Sequence, residues 1–242
     1  MPIACERLDV PVGDHRAPAL LFVPSSEAPL PLVLLGHGAH LSKDDEVMQL
    51  LARSLARGVP AGVALMDCPG HGERRAPGLT DDGFERDVAR RMGDPDGDAA
   101  LVADWIAVAG AARAATSRLT GPLGYAGFSM GALLGLSIVA DLPDVRAAVF
   151  ALGGTLADTA IAPGGPAARN ARVHEGARRL GDREVLMLNM TRDEHFPIEG
   201  AIRVFEEIPG PKRMGVWAGT HVDIPPEAFG QAVEFFTRTL GG

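Results

Sequence analysis

Three side chains that can activate one another occur along the chain in the order Ser129, Asp193, His221. A serine hydroxyl is a weak nucleophile until a base takes its proton, and an imidazole serves as that base best when a carboxylate fixes its tautomer. Ser129 lies in Gly127-Phe128-Ser129-Met130-Gly131, directly after an apolar run at 121–126 and directly before a stretch of helical spacing at 132–140. A strand-to-helix turn this sharp pushes the serine into a strained backbone conformation, and the flanking glycines remove Cβ atoms that would collide with strand or helix. The helix N-terminus behind the serine offers backbone N–H groups and partial positive charge to an oxyanion formed there. Asp193 falls in the stretch 190–197 after the apolar run 184–189, and His221 in the stretch 218–226 after the run 213–217, so both sit in loops at strand ends. Glu194 and Asp223 are competing acids, each less well placed. The chemistry these residue types permit is attack on a carboxylic carbonyl, with a covalent acyl intermediate on Ser129.

A fourth element, Leu35-Gly36-His37-Gly38-Ala39-His40, follows the apolar run at 31–35. Gly38 permits a sharp turn, and the Ala39 N–H can then pair with the Met130 N–H as an oxyanion hole. His37 precedes the nucleophile in the chain and reads as a loop-stabilising histidine rather than as the base. Together with His40 and His71 it could gather a metal, but carboxylate and cysteine partners at ligand spacing are missing, so no metal and no organic cofactor is expected. Phe84, Met92, Leu156, Phe196 and Val222, with Met130, are candidates for an apolar substrate wall, at positions that core packing would use equally well.

Holding these residues in place takes a sheet covered by helices. Apolar runs at 4–10 and 18–23 suggest an opening hairpin, followed by strands at 31–35, 61–66, 121–126, 145–150, 184–189 and 213–217. Helical spacing appears between them at 43–57, 97–115, 130–140, 168–180, 197–207 and 226–239. The alternation predicts an α/β fold with a mostly parallel central sheet of about eight strands flanked by helices. Asp44, Asp45 and Glu46 at the start of one helix, and Arg53 and Arg57 near its end, suit the helix dipole. Nothing repeats and no linker divides the chain, so residues 1–242 are expected to form one domain. Two connections are long, 70–97 and 152–169; the first contains a short helical stretch at 83–92, and either could be a small flap or plain surface.

Composition removes several classes of function. Of 242 residues, 46% are hydrophobic and 22% charged, which is globular rather than disordered. No run approaches the roughly 18 apolar residues that a membrane helix needs, and charges near the start argue against a secretory leader, so a cytoplasmic protein without membrane contact is expected. Cys5 and Cys68 are too few for a disulfide scaffold. A formal charge of −8 without a concentrated basic face excludes a nucleic-acid groove. The glycines at 36, 38, 124, 127 and 131 do not make the spacing of a dinucleotide-binding turn. An exposed edge near the first hairpin could support a homodimer.

His37-Gly38, the stretch Asp67-Cys-Pro-Gly-His-Gly-Glu-Arg74, the turn at 127–131, Arg192-Asp193 with Pro197, and Gly219-Thr220-His221 together resemble a serine member of the α/β-hydrolase superfamily. The resemblance covers essentially the whole chain and is closest in layout to dienelactone-hydrolase-like and prolyl-oligopeptidase-like esterases. It implies an α/β-hydrolase fold and hydrolysis of a small-molecule carboxylic ester, thioester or lactone, with Ser129 as nucleophile, His221 as base and Asp193 as its orienting acid. True dienelactone hydrolases carry a cysteine where this chain has Ser129. Lid-bearing members insert a large helical cap after the sixth strand, whereas 152–183 has room here for one helix and no separate cap domain. The same three residues would serve an acyltransferase or a C–C bond hydrolase, and a non-catalytic ligand-binding protein on this scaffold is the alternative outside enzymology.

Overall fold

The computed structural model describes residues 1–94, 96–158 and 165–241. Two antiparallel strands, β1 (Ile3–Val12) and β2 (His15–Pro24), open the chain, joined at Gly13, whose positive φ the tight turn requires. Six further strands follow: β3 (Leu32–Gly36), β4 (Gly62–Met66), β5 (Leu123–Phe128), β6 (Val145–Ala151), β7 (Glu184–Met190) and β8 (Lys212–Trp217). Their order in the sheet is β1-β2-β4-β3-β5-β6-β7-β8, with β2 antiparallel to β4 and parallel pairing from β4 through to β8. β3 and β4 are buried at every position, as strands covered on both faces must be, which is why they read as continuous apolar runs.

Helices α1 (Glu46–Gly58) and α7 (Pro226–Leu240) cover one face, packing Met48, Leu55, Phe235 and Phe236 against Val33, Val63 and Val149. The other face carries α3 (Gly97–Ala115), α4 (Met130–Ile138), α5 (Gly165–Arg178) and α6 (Ile198–Glu207), whose Trp105, Leu133, Val173 and Val204 meet Tyr125 and Phe150. Between β4 and α3, a 3-10 turn at Gly72–Arg74 leads to α2 (Asp81–Gly93), capped by Thr80, whose Oγ1 accepts from the Gly83 N–H at 3.2 Å. Among the described residues α5 is the one helix between β6 and β7, so no large cap domain is present there. Of the expected 152–169 connection, residues 159–164 lie outside the described residues. No helix is long and apolar enough to cross a membrane among the residues described.

One local expectation is corrected. Helical spacing suggests a start near 43, but α1 begins at Glu46 with Asp45 as its N-cap, and Asp44 lies outside it. The Asp45 carboxylate is committed to the preceding loop, accepting from the Ser42 N–H at 2.6 Å and the Ser42 hydroxyl at 2.7 Å, and Asp44 pairs with the Lys43 ammonium. Side-chain bonds of this kind compete with the helix for its first residues.

Candidate active site

All the candidate reactive residues stand at the carboxyl edge of the parallel strands. Ser129 follows β5 with φ 54° and ψ −114°, while its N–H is held by the Ala151 carbonyl of β6 at 2.9 Å and its carbonyl accepts from the Leu133 N–H at 2.9 Å. The turn is possible because two glycines let backbones touch. A Cβ on Gly127 would lie 2.3 Å from the Gly131 oxygen, and one on Gly131 would lie 2.4 Å from the Gly36 oxygen of β3. The Tyr125 hydroxyl donates to the Gly131 carbonyl at 2.8 Å and fixes the first turn of α4 from below.

Asp193 lies in the loop after β7 and His221 in the loop after β8. Backbone bonds from the Thr191 N–H to Trp217 O and from the Arg192 N–H to Gly219 O, both 2.9 Å, tie these two loops together. The Asp193 carboxylate is buried, accepting from the His195 and Phe196 N–H groups through Oδ1, each at 2.9 Å, and from His221 Nδ1 through Oδ2 at 2.8 Å. Burial alone would raise this carboxyl, but the His221 bond and the two backbone donors outweigh it and hold it below the ordinary aspartate value. Since Asp193 can only accept, His221 Nδ1 carries the proton, which leaves Nε2 bare and 2.8 Å from Ser129 Oγ. The Phe196 ring lies against the imidazole, with centroids 5.7 Å apart and planes at 33°. Of the competing acids, Glu194 accepts from the His221 N–H at 3.2 Å and Asp223 from the Thr220 N–H at 2.7 Å; neither contacts the imidazole.

The loop after β3 passes beside Ser129, and a Cβ on Gly38 would sit 3.5 Å from Ser129 Cβ. His37 braces this loop and is not aimed at Ser129: it is fully buried, with Nδ1 donating to the Gly38 carbonyl at 2.8 Å and Nε2 accepting from the Cys68 N–H at 3.0 Å. The Ala39 and Met130 N–H groups donate to no acceptor among the described residues, which leaves both available to a ligand oxygen. The wall candidates separate. Phe84 is buried between the His71 and His40 rings, and Met92 lines a cavity beside α4. Leu156 is half-buried with its N–H and carbonyl tied to the Asn170 side chain, Phe196 is buried beneath His221, and Val222 is 80% exposed at the rim.

Three residues in or behind the site carry signals that sequence reading missed. His71 is buried, and burial together with the neighbouring His37 ring pushes its imidazole down to about 4, so it is neutral near pH 7. Lys43 is fully buried, its ammonium among Asp44, Asp67 and Glu73, with Asp67 Oδ2 at 3.2 Å. Those three carboxylates could suit a cation, and the lysine nitrogen already sits among them. Arg169 of α5 is buried too, bonded to Asp98, to Ser137 of α4 and to the Met92 carbonyl.

This fold and this arrangement at the sheet edge define an α/β hydrolase. A profile of the Alpha/beta hydrolase family matches residues 32–237, and the chain belongs to that family. No protein of curated function matches the sequence. Among solved structures, a cold-adapted esterase from an Arctic intertidal metagenomic library is similar at 26% identity, over 98% of this chain and 93% of that one, with a TM-score of 0.77. A dienelactone hydrolase from Anabaena variabilis shares the fold at 19% identity, over 98% and 96% of the two chains, with a TM-score of 0.66. An acylaminoacyl peptidase from Pyrococcus horikoshii shares it at 15% identity and a TM-score of 0.74, with 98% of this chain matching 42% of that one.

Proposed function

We propose that the protein is a serine hydrolase that cleaves a carboxylic ester, thioester or lactone through an acyl-enzyme on Ser129. The observation that carries this reading is the unbroken line of hydrogen bonds from Ser129 Oγ through both ring nitrogens of His221 to Asp193 Oδ2. Ser129 Oγ attacks the carbonyl carbon as its proton passes to His221 Nε2, and the carbonyl oxygen becomes an oxyanion between the Ala39 and Met130 N–H groups. Each such donor contributes about 3 kcal/mol to lowering the barrier in comparable sites. As the tetrahedral centre collapses, the bond to the leaving oxygen or sulfur breaks and His221 returns the proton to it. A water molecule then repeats the sequence on the acyl-enzyme, giving the free acid and restoring the serine. Asp193 stays ionised throughout, holding the useful tautomer and stabilising the imidazolium. The similarity to a cold-adapted esterase supports the ester class, and the whole chain is taken to act as one domain.

The test is a fluorophosphonate probe with the modified residue located by mass spectrometry, alongside hydrolysis of short-chain nitrophenyl esters. Phosphonylation at Ser129 is expected, with loss of both labelling and turnover in Ser129→Ala and His221→Ala at unchanged circular dichroism. Undiminished turnover in Ser129→Ala would overturn the assignment.

A further inference from the structure

A cavity of about 400 Å³ lies directly beside the nucleophile turn. Met130, the residue after Ser129, and Leu134 line it from α4, Val88 and Met92 from α2, and Leu101 from α3. Three cations also reach its lining, Arg74, Arg91 and Arg169, but each is already bonded to a carboxylate, of Asp104, Asp87 and Asp98 respectively. An anionic ligand would therefore find these cations satisfied and would also meet Asp94 and Asp96, which belong to the same lining.

One lining residue carries a polar atom that is not satisfied. His71 is 2% exposed, and its Nδ1 lies 3.2 Å from the Pro69 carbonyl. A carbonyl only accepts, so Nδ1 carries the proton and Nε2 is a bare acceptor. Nε2 is buried with no hydrogen-bond partner among the described residues. Packing fixes the ring, with Phe84 edge-on at a centroid distance of 5.1 Å and His37 at 5.0 Å. A buried acceptor without a donor is costly and marks a place where a donor is meant to arrive.

We propose that this cavity receives the acyl part of the substrate and that His71 Nε2 accepts a hydrogen bond from a hydroxyl carried on the acyl chain, so that hydroxyacyl esters are selected over plain alkyl esters. The inference rests on the acyl-enzyme reading of Ser129. A hydroxyl meets the need with a single O–H and brings no charge into a lining that already mixes arginines with aspartates, while Met130, Leu134, Val88 and Leu101 accommodate the hydrocarbon. His71 is a specificity residue that contacts substrate away from the reacting carbonyl.

The experiment compares kcat/KM for nitrophenyl hexanoate and its 2-, 3- and 6-hydroxy derivatives, with nitrophenyl acetate as a substrate too short to fill the cavity. At least one hydroxyhexanoate is expected to exceed hexanoate by about tenfold, the scale of one hydrogen bond to an otherwise unpaired buried group. In His71→Leu the ratio should fall to near one, and His71→Gln, which keeps an acceptor, should restore part of it. A second measurement needs no variant. In wild-type protein phosphonylated with hexyl or hydroxyhexyl fluorophosphonates, the ¹⁵N resonance of His71 Nε2 should move only with the hydroxylated inhibitor. Equal kcat/KM for all four hexanoates, with turnover still dependent on Ser129, overturns the inference and leaves the acyl-enzyme reading standing. Absence of Ser129 labelling and of turnover on every ester overturns both.

Discussion

Arg169→Met tests how the wall of the candidate site is anchored to α4, the helix that follows Ser129. The substitution keeps much of the buried stem and deletes the guanidinium. Lost with it are bonds from Nη1 to Asp98 Oδ1 and Oδ2 at 2.8 and 3.1 Å, from Nη1 to Ser137 Oγ at 3.2 Å, and from Nε to the Met92 carbonyl at 2.9 Å. The Arg169 side chain is 1% exposed and that of Asp98 17%, so water does little to screen the pair. Removing one partner of a buried ion pair typically costs about 3–5 kcal/mol, because the other charge is stranded. Here Arg172 remains, with its Nε 3.3 Å from Asp98 Oδ2 and its Nη2 on the Met92 carbonyl, so the expected loss is about 2–3 kcal/mol. That corresponds to a fall in Tm of roughly 5–10 °C for a chain of this size. Urea unfolding followed by circular dichroism, run on Arg169→Met, Asp98→Asn and the double variant, reads both the loss and the coupling. A coupling energy of at least ~1.5 kcal/mol is expected for groups in direct contact. A loss below about 1 kcal/mol, or single-variant effects that simply add, would refute the view that this pair clamps the α2–α3 junction to α4.

Asp193→Asn should lower kcat/KM by about 10³- to 10⁴-fold at neutral pH with little change in fold, since an amide in that position no longer fixes the Nδ1–H tautomer; steady-state kinetics showing less than a tenfold fall would remove Asp193 from its orienting role. Gly131→Ala should cost about 3 kcal/mol in urea unfolding and suppress phosphonate labelling, because its Cβ would meet the Gly36 carbonyl oxygen at 2.4 Å, where backbone cannot step aside. Lys43 gives a pH signature. Burial works against its charge, but the bonds to Asp44, Glu73 and Asp67 prevail and raise its value above that of an ordinary lysine. The stabilisation is therefore complete below the unfolded lysine value of about 10.4 and is lost as pH rises through the higher folded value. Unfolding free energies measured across that range should decline in the wild type and show a shallower slope in Lys43→Met.

Much of the frame could be read in advance because short-range physics sets it. The glycines around Ser129 announce a turn that no bulkier pair would allow, and the buried strands β3 and β4 show as uninterrupted apolar runs. The helix α2 was visible from its spacing, although its true start, set by the Thr80 cap, lies two residues earlier than periodicity suggested. What escaped was set by partners distant in sequence. Lys43 stands at the start of the helical spacing 43–57, where nothing local marks it for burial, and only Asp67 and Glu73, brought in by the turn after β4, make it a buried cation. Arg169 falls in a stretch rich in alanine and arginine whose polar face should meet water, and its burial depends on Asp98 some seventy residues earlier. His71 stands out in the sequence only beside His37 and His40, as a possible metal ligand, and within the stretch 67–74. The signal that sets it apart, an acceptor with nothing to accept from, exists only once Pro69 has claimed the other nitrogen.

The backbone at Ser129 carries a consequence beyond this one reaction. A φ of 54° is held at a cost of about 1–3 kcal/mol whichever L-residue occupies the position. Close approaches around it belong to Gly127 and Gly131, where a Cβ would meet backbone at 2.3 and 2.4 Å. The turn is thus a socket, indifferent to the reagent mounted in it. Exchanging serine for cysteine leaves those backbone approaches as they are, while the longer C–S bond and larger sulfur alter the 2.8 Å contact with His221 Nε2. The turn fixes the backbone at 129, and the side chain mounted there decides which chemistry the position can offer.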